Sequence, residues 1–206
     1  MTYTTKTLLL TAFTLFAAAG AVETEEPGPS DHRAYSRFTP LVMMDSVNLF
    51  LATEDGWPTK GHDLSRLPLG KVRFAHVPYI VFDNEFVPGD AHVVGMGKYD
   101  GFTGHDSTRM TLDRKTDALF LLHTFVETEA PSADAAERGA APVVLEYHFL
   151  YADGSTLTVP VRFGRHIGNW LQADPGNLPE ARVAWRAPSG KGLWTVLYQM
   201  VWVNPK

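Results

Sequence analysis

Cysteine is absent from all 206 residues of the chain. The protein can therefore form no disulfide, no zinc-thiolate site and no cysteine nucleophile, and it offers no cysteine for lipid attachment. A domain of this length can bury enough apolar surface to fold without disulfides, so their absence is compatible with export. The core must come from apolar side chains, among them five tryptophans and twelve phenylalanines.

Basic residues are also scarce. The 18 Lys and Arg residues are outnumbered by 23 Asp and Glu residues, which gives a formal net charge of -5. Binding to nucleic acid requires a cationic surface that neutralises phosphates, and no run of basic residues supplies one. The sequence thus excludes a general nucleic-acid binder.

The usual catalytic motifs are missing as well. The eight histidines form no H-x-H pair and no H-E-x-x-H motif, which argues against a transition-metal centre. There is no G-x-S-x-G elbow, and no spacing pairs Glu127, Glu146 or Asp153 as the two carboxylates of a glycosidase. His123 and His148 each stand alone on a predicted strand, as interior or half-buried residues. We predict no catalytic residue and a protein that is not an enzyme.

The N-terminal residues follow the pattern of an export signal. Lys6 precedes an apolar run at 7–19, and Ala19, Gly20 and Ala21 are small enough for a signal peptidase. The run is short for a bilayer span, which needs about 20 residues. We expect a signal peptide at 1–21, removed to leave a secreted or periplasmic protein without a membrane span.

Two regions follow the signal peptide. Residues 22–37 are rich in acid, proline and glycine and lack periodicity, which predicts a flexible leader. Residues 38–206 then form a single domain.

The clearest structural pattern is a hairpin. In residues 143–151 an apolar stripe at the odd-numbered positions alternates with a less apolar face, and the alternation resumes at 155–163. A two-residue turn at Asp153-Gly154 would place the two apolar stripes on opposite faces. A three-residue loop with a left-handed Gly154 aligns them on one face. The longer loop gives these pairs: Phe149 with Leu157, Tyr147 with Val159, and Leu145 with Val161.

Short apolar runs broken by proline and glycine predict further strands. They lie at 43–49, 71–77, 78–83, 91–97, 108–113, 118–126, 181–187 and 193–203. The run at 118–126 is almost continuously apolar, so a strand covered on both faces is favoured over a buried helix. The long run at 193–203 is apolar on both faces and implies a central position. Together these runs predict an all-β, antiparallel two-sheet β-sandwich.

Four segments, taken in order, resemble the galactose-binding-like β-sandwich (jelly-roll) domains of exported bacterial proteins, which are often associated with polysaccharide-active enzymes. They are LPLG at 67–70 leading into 71–83, LFLLH at 119–123, YADGS at 151–155 running to Gly164 and then Asn169-Trp170, and WVNP at 202–205. The resemblance implies a non-catalytic module that binds a glycan, in some cases with a structural calcium ion. Because one fold hosts many functions, the functional part is analogy.

The first candidate glycan site follows a predicted strand end. A sugar site needs an exposed flat ring to cover a C–H face and polar groups to bind hydroxyls. Trp170 would be the ring, and Arg165, His166 and Asn169 lie beside it in the sequence. The alternative is that Trp170 turns inward and Arg165 pairs with a surface acid.

Other loops supply further candidates. Trp57 lies in an irregular loop, and Tyr99 and Asp100 lie in a glycine-rich loop that a rigid sandwich would hold in place. Calcium takes scattered oxygen ligands. Residues near predicted turns that could provide them are Asp45, Asp55, Asp83 and Asn84. The expected cofactor is therefore none, with structural calcium left open.

The sequence predicts a secreted carbohydrate-binding module whose partner is a glycan or polysaccharide. A structural or protein-interaction module of the cell envelope is the first alternative, and it predicts that Trp57 and Trp170 are buried. A small polysaccharide-active hydrolase or lyase is the second. It would require two carboxylates, or a Tyr/His pair, converging in one cleft.

Overall fold

The computed structural model describes residues 8–10, 15–18, 38–41, 49–50, 62–81, 91–96, 98–99, 102–103, 106–112, 114–126 and 141–206. These residues contain strands and no helix. The strands are β1 (Leu8–Leu10), β2 (Leu15–Ala18), β3 (Phe38–Leu41), β4 (Leu49–Phe50), β5 (Gly70–Phe74), β6 (Val77–Val81), β7 (Ala91–Met96), β8 (Lys98–Tyr99), β9 (Phe102–Thr103), β10 (Ala118–Phe125), β11 (Val143–Leu150), β12 (Thr156–Arg162), β13 (Leu171–Gln172), β14 (Ala181–Gly190) and β15 (Leu193–Val203).

The main sheet has nine strands, all paired antiparallel, and β15 is an interior strand with neighbours on both of its edges. The order is β13-β15-β10-β1-β7-β4, with β14 also on β15, β2 also on β10, and β3 on β2. Tyr198 of β15 is paired with both Val183 of β14 and His123 of β10, so these two strands lie on opposite edges of β15. The predicted central position of 193–203 is confirmed.

Both faces of β10 and β15 are covered. One face packs on the β5–β6 hairpin through a core that includes Phe74, Tyr79, Phe120 and Leu197. The other face packs on the β11–β12 hairpin. All eight residues of β10 are buried, as its continuous apolar pattern predicts. The described part of the chain is thus an all-β antiparallel sandwich, which confirms the predicted fold class at that level.

The β11–β12 hairpin, called the ribbon below, has the predicted register. Phe149 lies opposite Leu157, Tyr147 opposite Val159, and Leu145 opposite Val161. The loop is closed by a hydrogen bond from Tyr151 N to Ser155 O at 2.9 Å. Gly154 has a φ of 82°, the left-handed conformation on which the prediction depended.

The end of the chain holds the tip of the ribbon against the main sheet. The Tyr151 hydroxyl donates to Asn204 Oδ1 at 2.9 Å, and the Asn204 amide donates to Thr116 O at 2.9 Å. Lys206 lies over the Tyr151 ring and is 2.8 Å from Asp153 Oδ2. The hydrogen bond from Lys206, followed by those from Ser155, holds the pKa of Asp153 well below its ordinary value.

Two predicted strand assignments are wrong. The break expected before Pro78 lies earlier, because Ala75 and His76 have φ of 47° and 69° and form the β5–β6 turn, while Pro78 lies inside β6. No strand forms at 108–112, although Met110 and Leu112 pack against the core. An alternating pattern of apolar side chains indicates which of them turn inward. An extended loop can show the same pattern without forming the backbone hydrogen bonds of a strand.

The predictions for the N-terminal residues 1–49 can be compared with the structure only in part. β1 and β2 fall within the predicted signal peptide, and the removal of that segment stays a prediction. The predicted leader at 22–37 lies outside the described residues, as does most of the early strand at 43–49, of which only Leu49 is described, in β4.

Candidate functional site

The first candidate site lies on the loop that follows β12. Gly164 has a φ of 75°, and its N–H donates to Ile167 O at 2.8 Å. The His166 N–H donates to Arg162 O at 2.9 Å, which tightens the reversal. These two hydrogen bonds hold the backbone of the loop in a tight turn, from which residues 165–170 continue toward the sheet.

Arg165 and His166 both bind one carboxylate. Arg165 forms a salt bridge with Glu180, and His166 Nε2 hydrogen-bonds the other oxygen of the same group. The Arg162 N–H donates to His166 Nδ1 at 2.9 Å, so Nδ1 is the acceptor and Nε2 carries the hydrogen that faces Glu180. The hydrogen bond from Arg165 lowers the pKa of Glu180, partial burial opposes it, and His166 lowers it further. The Arg165 guanidinium is thus engaged within the fold.

Asn169 and Trp170 turn toward the sheet. Trp170 is 2 % exposed and belongs to the core that covers β5 and β6. Its N–H donates to Phe125 O at 2.8 Å, and its carbonyl accepts from Val196 N at 2.7 Å. A sugar cannot stack on a ring in this position, so the platform role predicted for Trp170 does not match the structure. The alternative, an inward ring with Arg165 on a surface acid, describes what is seen.

Close packing explains why the loop turns inward at this point. A Cβ atom added to Gly168 would come within 2.8 Å of the Tyr198 ring. Tyr198 is itself fully buried, so that ring has no space to retreat into. Gln172 Nε2 donates to Asn169 O at 2.7 Å and to the Tyr198 hydroxyl at 2.6 Å, while Asn169 Oδ1 is buried without a hydrogen-bond partner. Asn169 is therefore part of this packing rather than of an open polar surface.

Of Tyr99 and Asp100 in the second candidate loop, only Tyr99 is described. This residue lies in β8, where it is paired with Phe102 of β9. Trp57 and Asp100 lie outside the described residues, as do the calcium candidates Asp45, Asp55, Asp83 and Asn84. Among the side chains that are described, no group of three or more His, Asp or Glu residues could hold a metal ion.

The structure reveals a Tyr/His pair that the sequence did not single out as a pair. His123 Nε2 donates to His166 O at 2.9 Å, so its Nδ1 is the acceptor for the Tyr147 hydroxyl at 3.1 Å. Burial lowers the pKa of His123 to about 4, partly offset by the bond to His166 O, and burial raises the pKa of Tyr147. His123 is 0 % exposed, which confirms the prediction of an interior histidine.

The outer face of the ribbon is exposed to solvent. It comprises Glu146, His148, Leu150, Thr156 and Thr158, all exposed. His148 Nδ1 lies 3.0 Å from Thr158 Oγ1, and its Nε2 lies 3.4 Å from Glu146 Oε2. Leu150, at the end of this face, is 70 % exposed. Glu146 is thus an exposed sheet-surface acid, as interpreted from the sequence.

Comparisons with known proteins add no relative. No family model matches the chain, and neither the curated proteins nor the solved structures contain a match. The resemblance to galactose-binding-like domains therefore stays a prediction. No helix in the described part of the chain has the length and hydropathy required to span a membrane.

Proposed function

We propose that this chain is a non-catalytic protein-interaction module of the cell envelope. The observation that carries the proposal is the position of Trp170, which is 2 % exposed in the core. Arg165, the other strong group of the predicted sugar site, is paired with Glu180. Two of the residues predicted to bind a glycan, Trp170 and Arg165, thus have partners within the fold.

The well-exposed apolar side chains also favour contact with a protein. Among the described side chains, the large exposed apolar residues are Leu69, Val143, Leu150 and Val203. None of them is aromatic, whereas a sugar site depends on a flat ring. Val143 and Leu150 lie at the two ends of β11, with polar residues between them. A mixed face of this kind suits a protein partner, whose interface combines apolar contacts with a polar rim.

The ribbon presents this face rigidly. Phe149, on its inner side, stacks on Trp202 with the ring centroids 3.8 Å apart. The tip is held by Asn204 and Lys206. A preorganised surface loses less conformational entropy on binding than a loose loop does.

Site-specific cross-linking tests the proposal. A photo-reactive residue at Thr158 should cross-link one protein of the envelope, and Leu150→Ser should weaken that product. A probe at Leu69, which is 47 % exposed and outside the ribbon, serves as the matched control. Equal cross-linking at both positions, or none at Thr158 in folded protein, would refute the proposal.

Affinity electrophoresis through soluble polysaccharides tests the glycan-binding alternative. That alternative now rests on Trp57, Tyr99 and Asp100, which the resemblance and loop positions favour. We expect the folded chain to migrate unretarded. If a polysaccharide retards the parent chain, and Trp57→Ala or Tyr99→Ala abolishes that retardation, the chain binds carbohydrate and the present proposal is wrong.

A further inference from the structure

The predicted signal peptide supplies two strands of the main sheet. Leu15–Ala18 pairs with β10, with Ala18 opposite Ala118 and Phe16 opposite Phe120. Leu8–Leu10 pairs with the other end of β10. The opposite edge of β10 is occupied by β15. The N-terminal segment therefore covers the edge of β10 that faces away from β15, called its outer edge below, and lies between that edge and the strands β7 and β3.

That outer edge is poorly suited to exposure. Every side chain of β10 is buried, and the strand contains no proline, lysine or other charged residue that would discourage pairing. Removal of the signal peptide would leave backbone N–H and C=O groups of a buried strand without partners, which is costly unless other groups replace them. An unprotected edge of this kind is a template for another strand.

We propose that cleavage of the signal peptide opens the outer edge of β10 as an acceptor for an extended, uncharged apolar strand of a partner protein. This proposal rests on the function proposed above, and it names the chemistry of the partner. The present occupant shows that chemistry, because residues 8–18 contain no charged side chain. Main-chain hydrogen bonds would provide the affinity, as in other cases of strand addition.

The N-terminal strands pair with only part of the outer edge of β10. The leader strands pair with Ala118–Phe120 through β2 and with Thr124 and Phe125 through β1. No described residue pairs with Leu121, Leu122 or His123 on this edge. One continuous strand could pair along all eight residues of β10 and would form more hydrogen bonds than the two short strands do.

A strand-exchange experiment on the full chain tests the proposal. A specific protease site is inserted between Ala21 and Val22, the protein is folded intact, and the junction is then cut. A labelled peptide of residues 8–18 with a solubilising lysine tail is added in excess. We expect the peptide to replace the nicked segment and to bind saturably, one peptide per protein. Fluorescence anisotropy measures the binding, and intact mass shows which segment is bound.

The matched control is the same peptide with the substitutions Phe16→Pro and Ala17→Pro. Successive N–H groups of a strand point to opposite edges, so one of these prolines must remove a donor that faces β10. We expect this peptide to bind about tenfold more weakly or worse, as lost main-chain hydrogen bonds imply.

Three outcomes would overturn the proposal: equal binding of both peptides, no exchange into folded protein, or unfolding when the segment leaves. Intact mass of the exported protein gives a separate test, because a retained segment would keep the edge closed. Failure here would leave the Thr158 cross-link unaffected, whereas failure of the envelope function would remove that cross-link and leave peptide exchange measurable. The two failures are therefore distinguishable.

Discussion

Acidification should destabilise this fold through His123. Burial lowers the pKa of this histidine from 6.5 to about 4 in the folded state. Between these values the unfolded chain binds a proton that the folded chain does not, so the free energy of unfolding must fall as the pH falls. With about 1.4 kcal/mol per pKa unit, the loss is about 2 kcal/mol between pH 7 and pH 5, and about 3 kcal/mol by pH 4.

Urea unfolding at a series of pH values measures this loss. His123→Gln cannot titrate, so its unfolding free energy should change by about 2 kcal/mol less than that of the parent protein between pH 7 and pH 5. His148→Gln, the same substitution at an exposed position, is the matched control for the chemical change. The comparison is restricted to pH 5 and above. Because the pKa of Glu180 is lowered, its effect on the unfolding free energy lies at more acid pH and does not overlap with that of His123. Parallel slopes for the parent and His123→Gln would show that His123 is not the source of the acid sensitivity.

Three further predictions concern the loop and the chain end. Gly168→Ala should destabilise the protein by about 1–3 kcal/mol through overpacking against Tyr198, whereas Gly176→Ala, whose Cβ would meet nothing within 4 Å, should be tolerated in the same thermal unfolding assay. Glu180→Gln should cost at most about 1 kcal/mol at pH 7, since the pair is partly exposed; because the folded pKa of Glu180 is lowered, that difference should shrink as urea titrations move below pH 4.5. Lys206→Ala should raise the pKa of Asp153 toward 3.8 in an NMR titration, and an unchanged value would contradict the Lys206 contact.

Patterns local in the sequence predicted the strands best. The ribbon register followed from two apolar stripes and one glycine, because a hairpin is fixed by its own turn and faces. The position of β15 followed from its apolar residues on both faces. The turn at Ala75 and His76 could not be predicted in this way, because the segment contains no glycine, asparagine or aspartate, the residues that usually mark a left-handed turn.

The candidate site was less predictable because its partners are distant in the chain. Arg165 meets Glu180, and His123 meets both Tyr147 and His166, only after the loop has folded back on the sheet. A tryptophan after a strand end has the same sequence signature whether it binds a sugar or fills the core. The order of residues 164–170 therefore identified a structured loop but not the direction in which Trp170 points.

The unfolding free energy of Trp170→Ala tests most directly whether this loop belongs to the core. We expect a loss of about 3–5 kcal/mol, because a buried aromatic side chain is removed, and the same migration through polysaccharide gels as that of the parent chain. A variant of nearly unchanged stability that loses a polysaccharide interaction of the parent would contradict the account.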